Sequence, residues 1–338
     1  MKKYNFAVVG CTGMVGRKFL EVMEERNLPI NELYLFASKK SAGTTLPFQG
    51  KNYTVIELND ENIAKQHIDI ALFSAGGNVS KEFAPKFAEL GTVVIDNSSY
   101  WRMDPNVPLI IPEVNPEDIH NHHNIIANPN CSTTQAIVAL KPLHDKFHIK
   151  RVVYSTYQAC SGAGVGGLND LVEGAKGAAP AKFPNPIYDN CLPQIDVFTE
   201  SGYTKEEEKM INETRKILHA PEMRVTATTV RVPVTNSHSE SINVEFEKPI
   251  TAFDAKETLF NDGVGVVLQD DPEHSVYPMA ISATGSDAVF VGRVRQDYSV
   301  ENGINMWVVS DNIRKGAATN AVQIAQLLID TWEESSNR

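Results

Sequence analysis

The segment Asn128-Pro129-Asn130-Cys131-Ser132-Thr133-Thr134-Gln135 sets a cysteine where an apolar helical pattern begins. Asn and Ser open helices, and a thiol at that end lies in the positive field of the helix dipole, which favours the reactive thiolate. Cys11, Cys160 and Cys191 lack that setting and read as small buried hydrophobes. No CxxC spacing links the four, so neither a metal site nor a disulfide framework is indicated. Further on, Arg231 interrupts a β-branched run, where a charge is unfavourable unless paired, and the loop Thr235-Asn236-Ser237-His238-Ser239 follows it. An arginine so placed suits a carboxylate gripped by its planar fork. Beside a thiolate, the imidazole of His238 is the best acid/base available.

A third signal is Gly10-Cys11-Thr12-Gly13-Met14-Val15-Gly16, between a predicted strand at 4–9 and a helix at 14–26. Glycines let the backbone approach a pyrophosphate, and the helix N-terminus turns unpaired N–H groups toward it. A second strand at 32–37 leads into Ser38-Lys39-Lys40-Ser41, with no carboxylate where an NAD-specific site holds the ribose 2′-hydroxyl. Cations and hydroxyls there suit a 2′-phosphate, so NADP is expected. A nicotinamide cofactor and a cysteine nucleophile together suggest a thioester that exchanges with hydride.

The elements that must position these residues alternate at first. Strands at 69–73 and 92–96 enclose a helix near 78–90, and their continuous apolar runs fit a parallel sheet covered on both faces. After residue 130 the pattern changes: a helix at 132–147, a strand at 151–160 ending near Gln158, a glycine-rich turn at 161–167, a Pro-rich stretch at 180–193 and a charged helix at 205–219. Alternating strands follow at 223–234, 240–247, 288–297 and 303–311, with a helix at 253–261. The expected fold is α/β: a Rossmann-like doubly wound parallel sheet in 1–130, then an α+β catalytic and dimerisation domain in 131–312 with a mostly antiparallel sheet. A C-terminal helix (313–338) presents Ala321, Ile324, Ala325, Leu328 and Trp332 on one face and is expected to complete the first domain.

Length and charge bound the function. A chain of 338 residues with 42% hydrophobic content is two domains' worth of folded protein. Its net charge of −11, with no basic run beyond Lys39-Lys40, offers nothing to nucleic acid or anionic lipid. The apolar start at Phe6–Val9 is too short for a signal segment and no stretch is long enough to span a membrane, so a cytoplasmic protein is expected. His120, His122 and His123 lack a Cys or carboxylate partner at ligand spacing, and no metal is expected.

Taken in order, TGMVG (12–16), SSYWRMD (98–104), NPNCSTTQ (128–135), Tyr157–Gly164, VRVPVTNSHSE (230–240) and Asp311–Ala318 resemble the aspartate-semialdehyde dehydrogenase family over essentially the whole chain. The resemblance implies NADPH-dependent reduction of L-aspartyl 4-phosphate to the 4-semialdehyde with release of phosphate, on the route to lysine (by way of diaminopimelate), methionine and threonine. It implies that Cys131 attacks the acyl phosphate and carries the thioester, that His238 is the acid/base, that Gln158 orients the acyl group and that Arg231 holds the substrate carboxylate. Arg102 and Lys209 resemble the phosphate-binding cations, and Asn130 lies beside the same pocket. Glu206 resembles the contact to the substrate amine, although one helical turn from Lys209 it reads by itself as half of an exposed ion pair. For the cofactor the resemblance implies Gly10, Thr12, Gly13, Met14, Val15, Ser38, Lys40, Ser41, Ser74, Gly76, Ser161, Gly162 and Asn312. Lys40 stands where the family commonly has Arg, so a 2′-phosphate would meet a point charge without the fork. A homo-oligomer, most simply a dimer, is also implied. N-acetyl-glutamyl-phosphate reductase shares the thioester logic, and a non-catalytic binding relative would keep the fold; the Asn-Cys-Ser-Thr-Thr context with His238, Gln158 and Arg231 argues against both.

Overall fold

The computed structural model describes residues 2–336. The chain folds as two compact units, one formed by the residues up to Pro129 together with the segment from Ala317 onward, the other by Asn130–Gly316.

The first unit opens with β1 (Tyr4–Val9), α1 (Met14–Glu25) and β2 (Ile30–Ala37), then β3 (Thr45–Phe48), β4 (Lys51–Glu57) and α2 (Asp60–Ala64). β5 (Ile70–Phe73), α3 (Gly77–Glu89), β6 (Val93–Asp96) and β7 (Ile125–Ala127) complete a seven-stranded sheet in the order β3-β4-β2-β1-β5-β6-β7. Every residue of β5 and of β6 is buried, as strands covered on both faces require. All neighbouring pairs are parallel except β3 and β4. That hairpin was not anticipated. Its turn has positive φ at both Gln49 (46°) and Gly50 (72°), the primed geometry that matches strand twist, and Leu46 and Phe48 alternate inward along β3.

In the second unit α4 (Cys131–Phe147), β8 (Ile149–Gln158), α5 (Gly164–Gly174) and α6 (Lys205–Ile217) precede β9 (Arg224–Arg231) and β10 (His238–Phe246). Then come α7 (Ala252–Asp262), β11 (Val266–Leu268), α8 (Ala280–Ala283), β12 (Val289–Asp297) and β13 (Gly303–Ser310). The sheet order is β11-β12-β13-β10-β8-β9, antiparallel within and parallel at its two outer pairs. The glycine-rich segment at 161–167 is not a flexible turn. It is a short 3-10 turn (Cys160–Ala163) running into α5, and glycine is selected by crowding: a Cβ on Gly167 would lie 2.5 Å from the Cys160 carbonyl oxygen. His238 likewise does not sit in a loop; it is the first residue of β10.

This topology gathers the chemistry. Gln158 ends β8 beside Arg231, which ends the parallel β9, while the antiparallel β10 enters next to β8 at His238. The C-terminal residues form α9 (Thr319–Ser336), after a π-helical turn at Arg314–Ala318, and belong to the first unit. There Ala321, Ile324, Ala325 and Leu328 are buried in one cluster with Phe19, Leu20 and Met23 of α1, and Trp332 packs on Tyr4 with ring centroids 5.4 Å apart. Residues 337–338 of the expected helix lie outside the described residues. No described helix is long and apolar enough to cross a membrane.

Candidate active site

Cys131 is the first residue of α4, and Asn130 is its cap: the Asn130 Oδ1 accepts from the amides of Ser132 (3.0 Å) and Thr133 (3.1 Å). Capping with a neutral amide leaves the positive end of the helix uncompensated by a carboxylate in its first turn. The backbone at Gly316 lies so close that a Cβ there would be 2.8 Å from the Cys131 Cβ. None of the four cysteines forms a disulfide, and Cys131 is half-buried. Cys11 and Cys160 are buried small hydrophobes whose thiols burial pushes up to about 11. Cys191 does not share that fate; it is exposed in the Pro-rich irregular stretch, where no element covers it.

Glu206 is not half of an exposed pair. It is only 6% exposed on the inner face of α6, and its Oε1 accepts from Asn130 Nδ2 (2.8 Å) and Gln158 Nε2 (3.1 Å). Lys209 Nζ lies 3.2 Å from its Oε2 and 2.8 Å from Asp196. Burial raises the carboxyl's proton affinity, but the Lys209 charge and the two amide donors outweigh it and hold Glu206 down to about 2, so it is an anion. Seven residues on, Glu213 accepts the Asn130 backbone N–H at 2.7 Å. Sequence reasoning passed over Glu213; the i,i+7 spacing of two carboxylates on one helix face was the available signal.

Arg231 is 6% exposed, and its Nη1 donates to the Ala159 carbonyl at 2.7 Å. Its Nε is buried without a partner, and burial lowers its proton affinity. A guanidinium in that condition is a receptor for a carboxylate. His238 is fully buried; its Nδ1 accepts from the Ala159 amide at 3.0 Å and its Nε2 has no partner. Burial, aided by the Arg231 charge, pushes the imidazole down to about 3, so the ring is neutral near pH 7. Gly162 closes over both groups: a Cβ there would lie 2.9 Å from Arg231 Nη1 and 3.2 Å from His238 Nε2. Gln158 is engaged at both ends, its Oε1 accepting from Thr156 Oγ1 at 3.0 Å. Ser161 and Asn312 brace the same wall, since Asn312 Nδ2 donates to Ser161 Oγ (3.0 Å) and its Oδ1 accepts from the Ser237 amide (2.9 Å). One group escaped notice altogether: Glu240, two residues beyond His238 on β10, is fully buried with both carboxyl oxygens unpartnered.

In the first unit, Gly10 (φ +84°) and Gly16 permit the tight strand-to-helix turn, because side chains there would come within 2.3 Å of the Ser74 oxygen and 2.2 Å of the Gly10 oxygen. No side chain caps α1, whose N-terminus at Thr12, Gly13, Met14 and Val15 therefore fits a pyrophosphate. Ser38, Lys39 and Lys40 are exposed after β2, with Ser41 half-buried beside them. Ser74 follows β5 and Gly76 (φ +89°) opens α3, at the carboxyl ends of the parallel strands where ligands of such sheets gather. Arg102 is buried, its Nε donating to Asn128 O at 2.9 Å and its Nη2 to Asn97 O at 3.0 Å. Among the described residues no group of three or more His, Cys, Asp or Glu side chains could hold a metal ion; His122 Nδ1 instead accepts the Asn124 amide.

A nucleotide-type sheet and a cysteine-bearing α+β unit define a dehydrogenase, and comparison with known proteins agrees. Residues 5–122 match the NAD binding domain of semialdehyde dehydrogenases and residues 140–315 their dimerisation domain. The chain is 59% identical to an aspartate-semialdehyde dehydrogenase of Aquifex aeolicus, covering 96% of this chain and 98% of the relative. It also superimposes on the crystal structure of Vibrio cholerae aspartate semialdehyde dehydrogenase II complexed with ASA, with a TM-score of 0.93 and 47% identity over 98% of this chain and 99% of that one. An aspartate semialdehyde dehydrogenase with NADP from Candida albicans aligns with a TM-score of 0.78 at 27% identity, covering 96% of this chain and 98% of that one. The chain belongs to the aspartate-semialdehyde dehydrogenase family of oxidoreductases.

Proposed function

We propose that the protein reduces L-aspartyl 4-phosphate to L-aspartate 4-semialdehyde and phosphate with NADPH, through a thioester on Cys131, in the cytoplasmic biosynthesis of lysine, methionine and threonine. The observation that carries this reading is the pairing of a buried guanidinium with spare donors, Arg231, and a buried anion, Glu206, in the unit that bears Cys131. Such a pair fits the α-carboxylate and α-ammonium of an amino acid, leaving its far end for the cysteine. Cys131 attacks the acyl carbon and expels phosphate; Lys209 and Arg102 are the cations assigned to that phosphate, with Asn130 beside them. Gln158 orients the acyl group, and His238 is the acid/base. In the first unit Gly10, Thr12, Gly13, Met14 and Val15 would hold the pyrophosphate, Ser74 and Gly76 the adjoining loop, and Ser38, Lys40 and Ser41 the 2′-phosphate; Ser161, Gly162 and Asn312 are the further residues assigned to the cofactor. NADPH, when bound, supplies the hydride. The second unit is the dimerisation surface of a homodimer.

The test is phosphate-dependent reduction of NADP and of NAD with aspartate semialdehyde beside N-acetyl-glutamate semialdehyde. The free ammonium of the first answers Glu206, whereas an acetylated nitrogen carries no charge. Aspartate semialdehyde with NADP should react fastest, and equal rates with the acetylated substrate would overturn the reading.

A further inference from the structure

We propose that Phe183, latched in place by Asp170, is a positioning residue for Arg231: its ring supports the guanidinium so that the free edge of the fork is held ready for the substrate carboxylate. The inference rests on the reading of Arg231 as the carboxylate anchor for its functional consequence, and on geometry alone for the latch. The element that carries it is the Pro-rich strap at 180–193, which has no part in the chemistry proposed above.

Asp170 lies on α5 and is only 7% exposed. Its Oδ1 accepts from the Ala181 amide at 2.9 Å, and its Oδ2 accepts from the amides of Lys182 (2.8 Å) and Phe183 (2.7 Å). Three consecutive N–H groups converging on one carboxylate fix the backbone where the strap begins. Burial raises the proton affinity of Asp170, but the three amides outweigh it and hold the carboxyl below its ordinary range, so the latch is an anion. At the far end of the strap, Leu192 and Arg231 exchange both backbone hydrogen bonds, each 2.9 Å long. Between these ties Ile187 and Leu192 are buried with Cys160, and Leu168, Leu171 and Phe183 pack against them. A segment that also carries Pro184 and Pro186 has few conformations open to it once both ends are secured.

The strap converges on one side chain. Arg231 Cζ lies over the Phe183 ring, 5.7 Å from its centroid, within the range of attraction between a cation and an aromatic face. Helix α5 leaves room for the ring, since a Cβ on Gly167 would lie 3.0 Å from Phe183 Cζ. On Arg231 itself, Nη1 is committed to the Ala159 carbonyl at 2.7 Å, while Nε is buried without a partner. The two donors left for a bidentate carboxylate are therefore Nε and Nη2. A side chain this long presents that edge in one place only if the guanidinium is held, and the Ala159 carbonyl holds one corner. Phe183 is the second support.

Three variants of the full-length protein test this. Phe183→Leu keeps apolar bulk beside Ile187 and Leu192 but has no ring face, Phe183→Tyr restores the face, and Asp170→Asn keeps the volume but turns an NH2 toward backbone N–H donors. With aspartate semialdehyde, Phe183→Leu and Asp170→Asn should raise KM roughly 3- to 30-fold, as loss of a desolvated cation–ring contact does, while kcat stays within about threefold. Phe183→Tyr should return KM to within about twofold of wild type, and NADP affinity should not move in any of the three. A fall in kcat with KM unmoved, or a tyrosine variant as impaired as the leucine one, would overturn the proposal. The guanidinium is also read without substrate, by NMR after 15N-arginine labelling, with the Arg231 Nε–H resonance identified by its loss in Arg231→Lys. That resonance should shift in Phe183→Leu and in Asp170→Asn, because the ring that shields it is removed or displaced; a resonance unmoved in both would refute the contact. An inactive wild type in the semialdehyde assay would sink the functional reading, and the latch would then stand or fall by the resonance.

Discussion

Replacing Glu206 with Gln removes one charge and almost no volume, so it isolates what the buried anion does. In the folded protein the carboxyl is held at about 2 against an ordinary 4.5, a difference worth about 3 kcal/mol. Because the folded value is depressed, this stability is present above the ordinary carboxylate range and is lost as pH falls from about 4.5 through about 2. The Gln side chain can still accept from Asn130 and Gln158 with its oxygen, but its NH2 then faces the Lys209 ammonium, donor against donor. At neutral pH Glu206→Gln should therefore unfold at lower urea, by up to about 3 kcal/mol, and the difference from wild type should shrink as the pH is taken below 4.5. In steady-state assays with aspartate semialdehyde, losing the charge-assisted contact to the ammonium should lower kcat/KM by about 30- to 150-fold, with NADP affinity unchanged. If Glu206→Gln leaves kcat/KM within twofold of wild type while still losing stability, the carboxylate is a scaffold for Lys209 and Asn130, and the ammonium site lies elsewhere.

Cys131→Ala should abolish turnover yet bind NADP as the wild type does in fluorescence titration; substantial residual activity in the purified variant would remove the thioester mechanism. Arg231→Lys keeps the charge but loses the planar fork, and should cost about 2–3 kcal/mol in kcat/KM for aspartate semialdehyde, with NADP binding unaffected. A near-normal kcat/KM would make Arg231 a brace for the Ala159 carbonyl only. Glu240, buried without partners, holds its proton well above the ordinary range because burial and the nearby Glu206 charge both oppose ionisation. A group raised in this way contributes stability below the ordinary carboxylate range and loses it as pH climbs toward the folded value. Glu240→Gln, neutral at every pH, should thus gain stability relative to wild type as the pH rises above the ordinary carboxylate range in urea unfolding, and a constant difference would show that Glu240 is ionised in the fold.

The capped cysteine and the glycine loop were legible because their determinants are largely local. An asparagine before a cysteine before a helical pattern states its own cap, and Asn130 makes that cap with amides two and three residues away. Gly16 is likewise demanded by a turn that closes on Gly10 within a few residues, whereas Gly10 is crowded by the distant Ser74. The α/β order and the mostly antiparallel second sheet followed from the spacing of apolar residues, whereas the short β3–β4 hairpin, with two residues in its turn, escaped it. The partners of the site were not legible, since each depends on which distant element arrives beside it. Glu206 and Lys209 have the same i,i+3 spacing as any solvent-facing pair, and only the approach of Asn130, 76 residues earlier, and of Gln158 makes that glutamate a buried anion. Gly162 and Gly167 suggest flexibility in isolation but are crowded, the first by Arg231 and His238 and the second by Cys160, once the strands assemble. The partner of His238 Nδ1 is the amide of Ala159, 79 residues away in the chain, and it was not legible because a backbone N–H is carried by nearly every residue and leaves no mark in the sequence of where it will point.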